Sequence, residues 1–340
     1  MNQNTQVMAT VTAAQTAEPS LIKQMRQAGL KGVRINSAHV TPEKLKEMIA
    51  QIRAIDPDIT ILMDTKGPEM RTTALDSPIC FAEGNVINIT SDTEDTPSSI
   101  DCVRINVPLL HKHLTIGQQV EFDDGEIAAT ITEINDEIIT ARVTTGGTLG
   151  SRKTMTAEGF DSSYLPAVSL RDRLNIEAAS EAGIDIIAHS FVRSKQDVEA
   201  VKDLIPDSPT QVFAKVECQQ ALDNLDEIIG HADGILVARG DLGTAVDPCC
   251  IPVLQADIIA RCRRAEKSTI VATQIMQSMM ENPRPTRAEI SDIAFSVIEG
   301  VDWLLLCGET AQGRYPVNCV DIMTQTIRIT QQANLKWKID

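Results

Sequence analysis

Residues 211–238 read QVFAKVECQQALDNLDEIIGHADGILVA. Gln211–Val216 is a short, nearly all-apolar run, and Gly234–Ala238 is another. Between them, Gln219–Ile229 carries a helical pattern. Neither apolar run alternates with polar residues, which is how strands buried on both faces of a parallel sheet read. The stretch predicts a strand, a helix and a second, parallel strand.

The same unit recurs outward in both directions. The other β-rich runs are Gln6–Thr12, Gly32–Asn36, Thr60–Asp64, Ile184–Ala188, Thr269–Ala272 and Asp302–Leu306, which makes eight. Helical patterns follow most of them, at Glu18–Ala28, Pro42–Ile55, Leu170–Ala182, Lys195–Leu204, Ile251–Ala265, Arg287–Glu299 and Val317–Gln332. In Pro42–Ile55, residues Leu45, Met48, Ile49 and Ile52 fall on one face, the stripe that packs on a core. Thr41-Pro42 reads as an N-cap with proline at the first helical position. Eight repeats predict a (β/α)8, or TIM, barrel rather than an open doubly wound sheet.

One interruption follows the third strand. Asn85–Thr90, Asp101–Val107, Gln118–Phe122 and Glu126–Thr145 read as short strands, punctuated at Glu83-Gly84, Asp123-Asp124-Gly125 and Gly146-Gly147. The expected organisation is a catalytic barrel of residues 1–71 and 161–340, with a small all-β domain over 72–160, a β-barrel lid, inserted after strand 3. A βα loop lies at the C-terminal face of such a barrel, where active sites form.

Composition narrows the function. The 340 residues carry 31 Lys and Arg against 47 Asp and Glu, a net charge of −16. That field repels phosphate backbones and argues against nucleic-acid binding, while a local basic pocket still accepts a small phosphate. No apolar run reaches the ~18–20 residues of a membrane span. The polar start Met1–Thr5 lacks a signal segment. Eight irregularly spaced cysteines read as reduced thiols of a cytoplasmic protein.

Polar residues gather where the strands end: Arg34 and Asn36, Asp64 and Lys66, Ser190 and Arg193, Lys215 and Glu217, Arg239 and Asp241, Thr273, Cys307 and Glu309. In a barrel they converge on one mouth, where buried charges need partners. Mixed charge there suits an anionic substrate held with a divalent cation, and two carboxylates from neighbouring strands suit Mg²⁺. Other features read as structural. His111, His113, His189 and His231 have no metal-ligand spacing with cysteine, Cys249-Cys250 has no second pair, and Met276, Met279 and Met280 read as core.

Several longer motifs resemble the pyruvate kinase family. They are DTKGPEMR (Asp64–Arg71), GGTLGSRK (Gly146–Lys153), SFVRS (Ser190–Ser194), AKVE (Ala214–Glu217), DGILVARGDLG (Asp233–Gly243), ATQIM (Ala272–Met276), NPRPTRAEISDI (Asn282–Ile293) and GETAQGRYP (Gly308–Pro316). They occur in family order from Gln6 to about Gln332. The resemblance implies Mg²⁺-dependent phosphoryl transfer from phosphoenolpyruvate to ADP, giving pyruvate and ATP, in cytoplasmic glycolysis. It implies roles for Lys215, Thr273 and Arg34 in catalysis, and for Arg34, Gly240, Asp241 and Thr273 in holding phosphoenolpyruvate. It places Asn36, His39, Arg71 and Lys153 on the nucleotide side. Glu217 and Asp241 would ligate Mg²⁺, and Asn36, Asp64 and the Thr65 carbonyl would form a K⁺ site. A homo-oligomer, a dimer by expectation, also follows. The family's usual C-terminal domain, with its effector site, has no counterpart before Asp340, so allosteric control of that type is not expected.

Three departures stand out. The family's Arg-x-Asn-Phe-Ser-His reads Arg34-Ile35-Asn36-Ser37-Ala38-His39, so the K⁺-site serine is Ala38. Ser37 is no replacement, because adjacent strand residues face opposite ways. Thr10-Val11-Thr12-Ala13-Ala14 replaces a turn near the nucleotide base, and Cys307 stands for a serine before Gly308-Glu309-Thr310. The alternatives are a related enolpyruvate or phospho-acid enzyme with another acceptor, and a non-catalytic paralogue that binds nucleotide or phospho-acid.

Overall fold

The computed structural model describes residues 5–123, 125–158, 160 and 164–337, with His39 and residues 334–337 described by their backbone alone. Strands β1 (Gln6–Thr10), β2 (Leu30–Asn36) and β3 (Thr60–Asp64) come first. The insertion carries β4 (Ile79–Phe81), β5 (Val86–Ser91), β6 (Val103–Ile105), β7 (Gln119–Phe122), β8 (Ile127–Asn135), β9 (Ile138–Thr145), β10 (Gly147–Leu149) and β11 (Met155–Ala157). Then come β12 (Ile186–His189), β13 (Gln211–Val216), β14 (Gly234–Ala238), β15 (Ser268–Ala272) and β16 (Trp303–Leu306). Strands β1, β2, β3, β12, β13, β14, β15 and β16 close into a parallel barrel in that order. The (β/α)8 barrel expected from the repeats is therefore present, with an all-β insertion after β3.

Period-two alternation divides the barrel's apolar residues into two layers. Met8, Leu62, Ile186, Ala188, Phe213, Leu236, Ile270 and Leu305 fill the interior. Their neighbours Val7, Val33, Ile61, Ile187, Val212, Ala214, Ile235, Val271 and Leu304 face the helices. Gly234 leaves room for the Phe213 ring, since a Cβ there would lie 2.4 Å from two ring carbons. Two steps past the interior residues, the same parity puts Thr10, Arg34, Asp64, Ser190, Lys215 and Cys307 at the C-terminal rim. The register aligns them: Asp64 pairs with Asn36 on one side and Ala188 on the other, and His189 pairs with Ala214.

Pro68–Pro166 is a second compact unit with its own core, including Ile87, Ile89, Val120, Phe122, Ile127, Ile131 and Ile139. Its main sheet runs β11-β7-β8-β9-β5-β6, and β10 pairs with β4. Single bridges from Arg71 to Thr154 and from Thr72 to Ile105 join the chain to this sheet near both edge strands.

Several boundaries differ from the sequence reading. Glu126–Thr145 is a hairpin, broken between β8 and β9 where Asp136 takes a left-handed turn conformation (φ 50°). The helix expected at Glu18–Ala28 runs Pro19–Gln27, and a further short helix, Ala13–Ala17, precedes it, started by a capping box of Thr12 and Gln15. Gln219–Ile229 divides at Asn224 into Gln219–Asp223 and Leu225–His231. β1 ends at Thr10 rather than Thr12. Asp124, in the expected Asp123–Gly125 turn, lies outside the described residues.

Candidate active site

The centre of the mouth is the Lys215 ammonium, 8 % exposed at the end of β13. It lies 3.0 Å from Asp64 Oδ1, 2.8 Å from Glu217 Oε1 and 2.8 Å from Ser190 Oγ. Burial alone would lower its pKa, but Asp64, Glu217 and Asp241 together raise it, so Lys215 stays a cation. It is built to supply charge, not to remove protons.

Asp64, at the end of β3, is shared. Its Oδ2 accepts from Arg34 Nε at 2.8 Å and Nη2 at 2.5 Å, and its Oδ1 accepts from Ser190 Oγ at 3.1 Å. Burial opposes ionisation, yet Lys215 and Arg34 hold the carboxyl below the ordinary range. Arg34 Nη1 also reaches Thr10 Oγ1 at 3.1 Å.

Glu217 is 2 % exposed. Burial, reinforced by the charges of Asp241 and Asp64, pushes its carboxyl up to about 8 despite Lys215. Its Oε2 accepts the Phe191 N–H at 2.7 Å. Its Oε1 has the Lys215 ion-pair contact, but the angles do not make a hydrogen bond, and this buried oxygen is otherwise unpartnered. Phe191 adopts φ 54°, a strained conformation for a bulky residue, and so aims its N–H at Glu217.

Two more strained residues follow β15: Thr273 has φ 70° and Gln274 φ 53°. Thr273 Oγ1 accepts the Gly240 N–H at 2.7 Å and donates to Ala272 O at 2.6 Å. Gly240 and Asp241 lie in the helix Arg239–Ala245 that follows β14, and Thr273 follows β15, the strand paired with β14.

Ser190, in the SFVRS motif, has no site role from the sequence alone, and the structure makes it central. Besides Lys215 and Asp64, its hydroxyl meets Thr65 O at 2.7 Å. The signal was parity, since Ser190 is two residues beyond the interior Ala188. Gly67 (φ 74°) permits this contact, because a Cβ there would lie 2.8 Å from Ser190 Cβ. Ser37 was also missed. Its buried hydroxyl donates to Asp64 O at 2.8 Å.

Other rim residues serve the frame. Arg193 forks onto Asp197 (2.9 Å from Nη2 to Oδ1), and Arg239 holds Asp292 at 2.7 Å. Glu309 ties two loops by accepting from Met276 N at 3.0 Å and Cys307 N at 2.8 Å. Of the residues expected on the nucleotide side, Asn36 Oδ1 accepts from Ala38 N at 3.1 Å, and His39 contributes backbone to the short helix Ser37–His39. The His39 side chain lies outside the described residues. In the inserted unit, Arg71 Nε meets Glu69 Oε2 at 2.5 Å and Lys153 Nζ meets Asp123 Oδ1 at 2.8 Å.

Among the described residues, no group of three or more His, Cys, Asp and Glu is placed to hold a metal. A two-carboxylate site for a hard cation is a different arrangement, and Glu217 with Asp241 fits it. Oε1 of Glu217 is a buried acceptor with no hydrogen bond beside its ion-pair contact with Lys215, and the Asp241 charge already acts on Glu217. The K⁺ set does not fit. Asn36 Oδ1 accepts from Ala38 N, Asp64 is paired with Arg34 and Lys215, Thr65 O lies at 2.7 Å from the Ser190 hydroxyl, and residue 38 has no hydroxyl.

The class is that of a (β/α)8 barrel with a lysine–carboxylate cluster at the strand ends. A family model described as "Pyruvate kinase, barrel domain" matches residues 2–320. The chain is 35 % identical to a pyruvate kinase of Borreliella burgdorferi, over 94 % of this chain and 67 % of that one. It is 36 % identical to those of Geobacillus stearothermophilus (98 % and 58 %) and Methylorubrum extorquens (99 % and 71 %). The chain thus spans between 58 % and 71 % of the length of these three relatives. It belongs to the pyruvate kinase family by its barrel domain.

Proposed function

We propose that the chain transfers the phosphoryl group of phosphoenolpyruvate to ADP, forming ATP and pyruvate. The observation that carries this is the permanently charged Lys215, pinned among Asp64, Glu217 and Ser190 at the barrel mouth. Phosphoryl transfer depends on positioning and on cations that meet charge as it develops. In the reaction the enolate oxygen–phosphorus bond breaks, a β-phosphate oxygen of ADP bonds to phosphorus, and the enolate carbon takes up a proton. Lys215 offsets charge on the moving phosphoryl group and on the enolate oxygen. Arg34 turns its guanidinium to the phosphate, with Asp64 orienting the fork. Gly240 N–H and the Thr273 hydroxyl, now bonded to each other, hold the substrate carboxylate, and Thr273 lies toward the face that is protonated. Glu217 and Asp241 would hold Mg²⁺, which supplies Lewis-acid charge neutralisation at the phosphate and pyruvate oxygens.

Arg71, Lys153, Asn36 and His39 are proposed on the nucleotide side, from the family resemblance. The eight cysteines are all free, which supports a reducing, cytoplasmic setting for a glycolytic role. A second reading, the same transfer to another acceptor, is favoured by the end of β1. There the Thr12–Gln15 capping box starts a helix, and Gln15 Nε2 reaches Thr310 O at 2.9 Å.

The test is pyruvate formation from phosphoenolpyruvate with Mg²⁺ and ADP, beside Lys215→Ala. ADP-dependent turnover that vanishes in the variant supports the reading. Binding of Mg²⁺ and oxalate without turnover, across a set of nucleoside diphosphates, defeats it in favour of another acceptor.

A further inference from the structure

His189 is buried, and both of its ring nitrogens are bonded. Nε2 lies 3.0 Å from Ala167 O and Nδ1 3.1 Å from Thr65 Oγ1. A carbonyl only accepts, so Nε2 carries the hydrogen. Burial holds the ring's pKa below its ordinary value, which leaves it neutral and Nδ1 bare. The Thr65 hydroxyl therefore donates to Nδ1.

The roles then propagate. Thr65 Oγ1 accepts the Ser190 N–H at 3.0 Å, and Ser190 Oγ accepts from Lys215 Nζ at 2.8 Å. Each contact in the path from Ala167 to Lys215 then has a fixed donor and a fixed acceptor. The path also spans the two places where the chain leaves and re-enters the barrel unit, after Gly67 and at Ala167. Asp172 adds a second tie there, accepting Lys66 N–H at 2.9 Å and Gly67 N–H at 3.1 Å.

We propose that His189 is a positioning residue for Lys215. By tying Thr65 to Ala167 it holds Ser190 in place, and Ser190 fixes where the ammonium sits between Asp64 and Glu217. Without the ring, two carboxylates at nearly equal distance compete for one cation with little to select the point between them. Nothing in the sequence marked His189 for this, because its partners are distant along the chain.

The kinetic arm of the test rests on the phosphoryl-transfer reading, and the spectroscopic arm does not. In ¹⁵N-histidine-labelled full chain at pH 7, the His189 ring is expected as the neutral Nε2–H tautomer. The Nδ1–H tautomer would overturn the proposal. In His189→Phe, amide exchange at Ser190 is expected to quicken, and unchanged exchange counts against the relay. Its kcat should fall roughly ten- to a hundredfold, the usual range for residues that orient a functional group, with KM for phosphoenolpyruvate within about threefold. His189→Asn, which can return an acceptor to Thr65, should recover most of that loss. Full kcat in His189→Phe, or equal loss in a folded His189→Asn, overturns the relay. If the wild-type chain shows no turnover, the functional reading fails, and the tautomer and Ser190 exchange decide the proposal. If His189→Phe does not fold, the tautomer and His189→Asn decide it.

Discussion

Arg239 clasps the carbonyl oxygen of Thr273 with two nitrogens, Nε at 3.2 Å and Nη2 at 2.9 Å. Nη2 also reaches Gln274 O at 3.2 Å. Two left-handed, non-glycine residues in succession carry strain on the order of 1–3 kcal/mol each. A planar fork bonded to both carbonyls holds that backbone in place. Lysine keeps the charge but not the fork. Arg239→Lys should therefore leave the fold intact and lower kcat about tenfold or more, with the Thr273 hydroxyl displaced. Steady-state kinetics beside a thermal melt check this, and unchanged kcat would refute it.

Glu217→Gln removes the buried carboxyl group proposed to meet Mg²⁺. The expected result is at least a tenfold weaker apparent Mg²⁺ affinity, with no loss of thermal stability. Ionised Glu217 is a buried carboxylate whose proton affinity is raised to about 8. A group raised in the folded state favours folding while protonated, and that contribution is lost as pH climbs from the unfolded carboxylate range through about 8. The metal-free variant should therefore lose less stability than wild type between pH 6 and 9. Denaturant melts across that range measure the difference.

His189 has the opposite sign. Its folded pKa is lowered by burial, against the charges of Asp172 and Asp197 and together with that of Arg193. Its neutral form contributes stability above the ordinary histidine range, and that contribution falls away as the solution is acidified below it. His189→Gln should flatten the acid limb of the stability profile. A limb as steep as wild type would show that other groups set it.

Ala38 and the occupied oxygens of Asn36, Asp64 and Thr65 predict a weak K⁺ response. Turnover at constant ionic strength should change less than about twofold between Na⁺ and K⁺, with Ala38→Ser increasing the K⁺ effect. A large K⁺ activation of the wild-type chain would show that these oxygens are released for the ion.

Gly234→Ala sets a Cβ against Phe213 in the barrel interior. Overpacking of a filled core costs about 1–3 kcal/mol, and the double variant Gly234→Ala with Phe213→Leu should recover part of it. Equilibrium unfolding of the single and double variants decides this.

The barrel was legible in the sequence because its strands are buried on both faces, and such strands announce themselves locally as continuous apolar runs. Thr60–Asp64, Gln211–Val216 and Gly234–Ala238, and the helices Pro42–Ile55 and Arg287–Glu299, have the same ends in both readings. Lys215 and Glu217 were legible as a candidate pair because they share one strand end and one parity. Family membership, too, was written in motifs a few residues long. The sequence could not say which rim charges meet. Arg34 and Arg239 look alike as strand-end cations. Yet one faces Asp64 across a strand pair while the other closes on the Thr273 carbonyl. That choice depends on barrel register and on backbone conformations at Phe191, Thr273 and Gln274, which arise only once the ring of strands has closed. The roles of Ser190 and His189 belong to the tertiary structure for the same reason: Thr65 and Ala167 are a hundred or so positions apart in the chain and become neighbours only in the barrel.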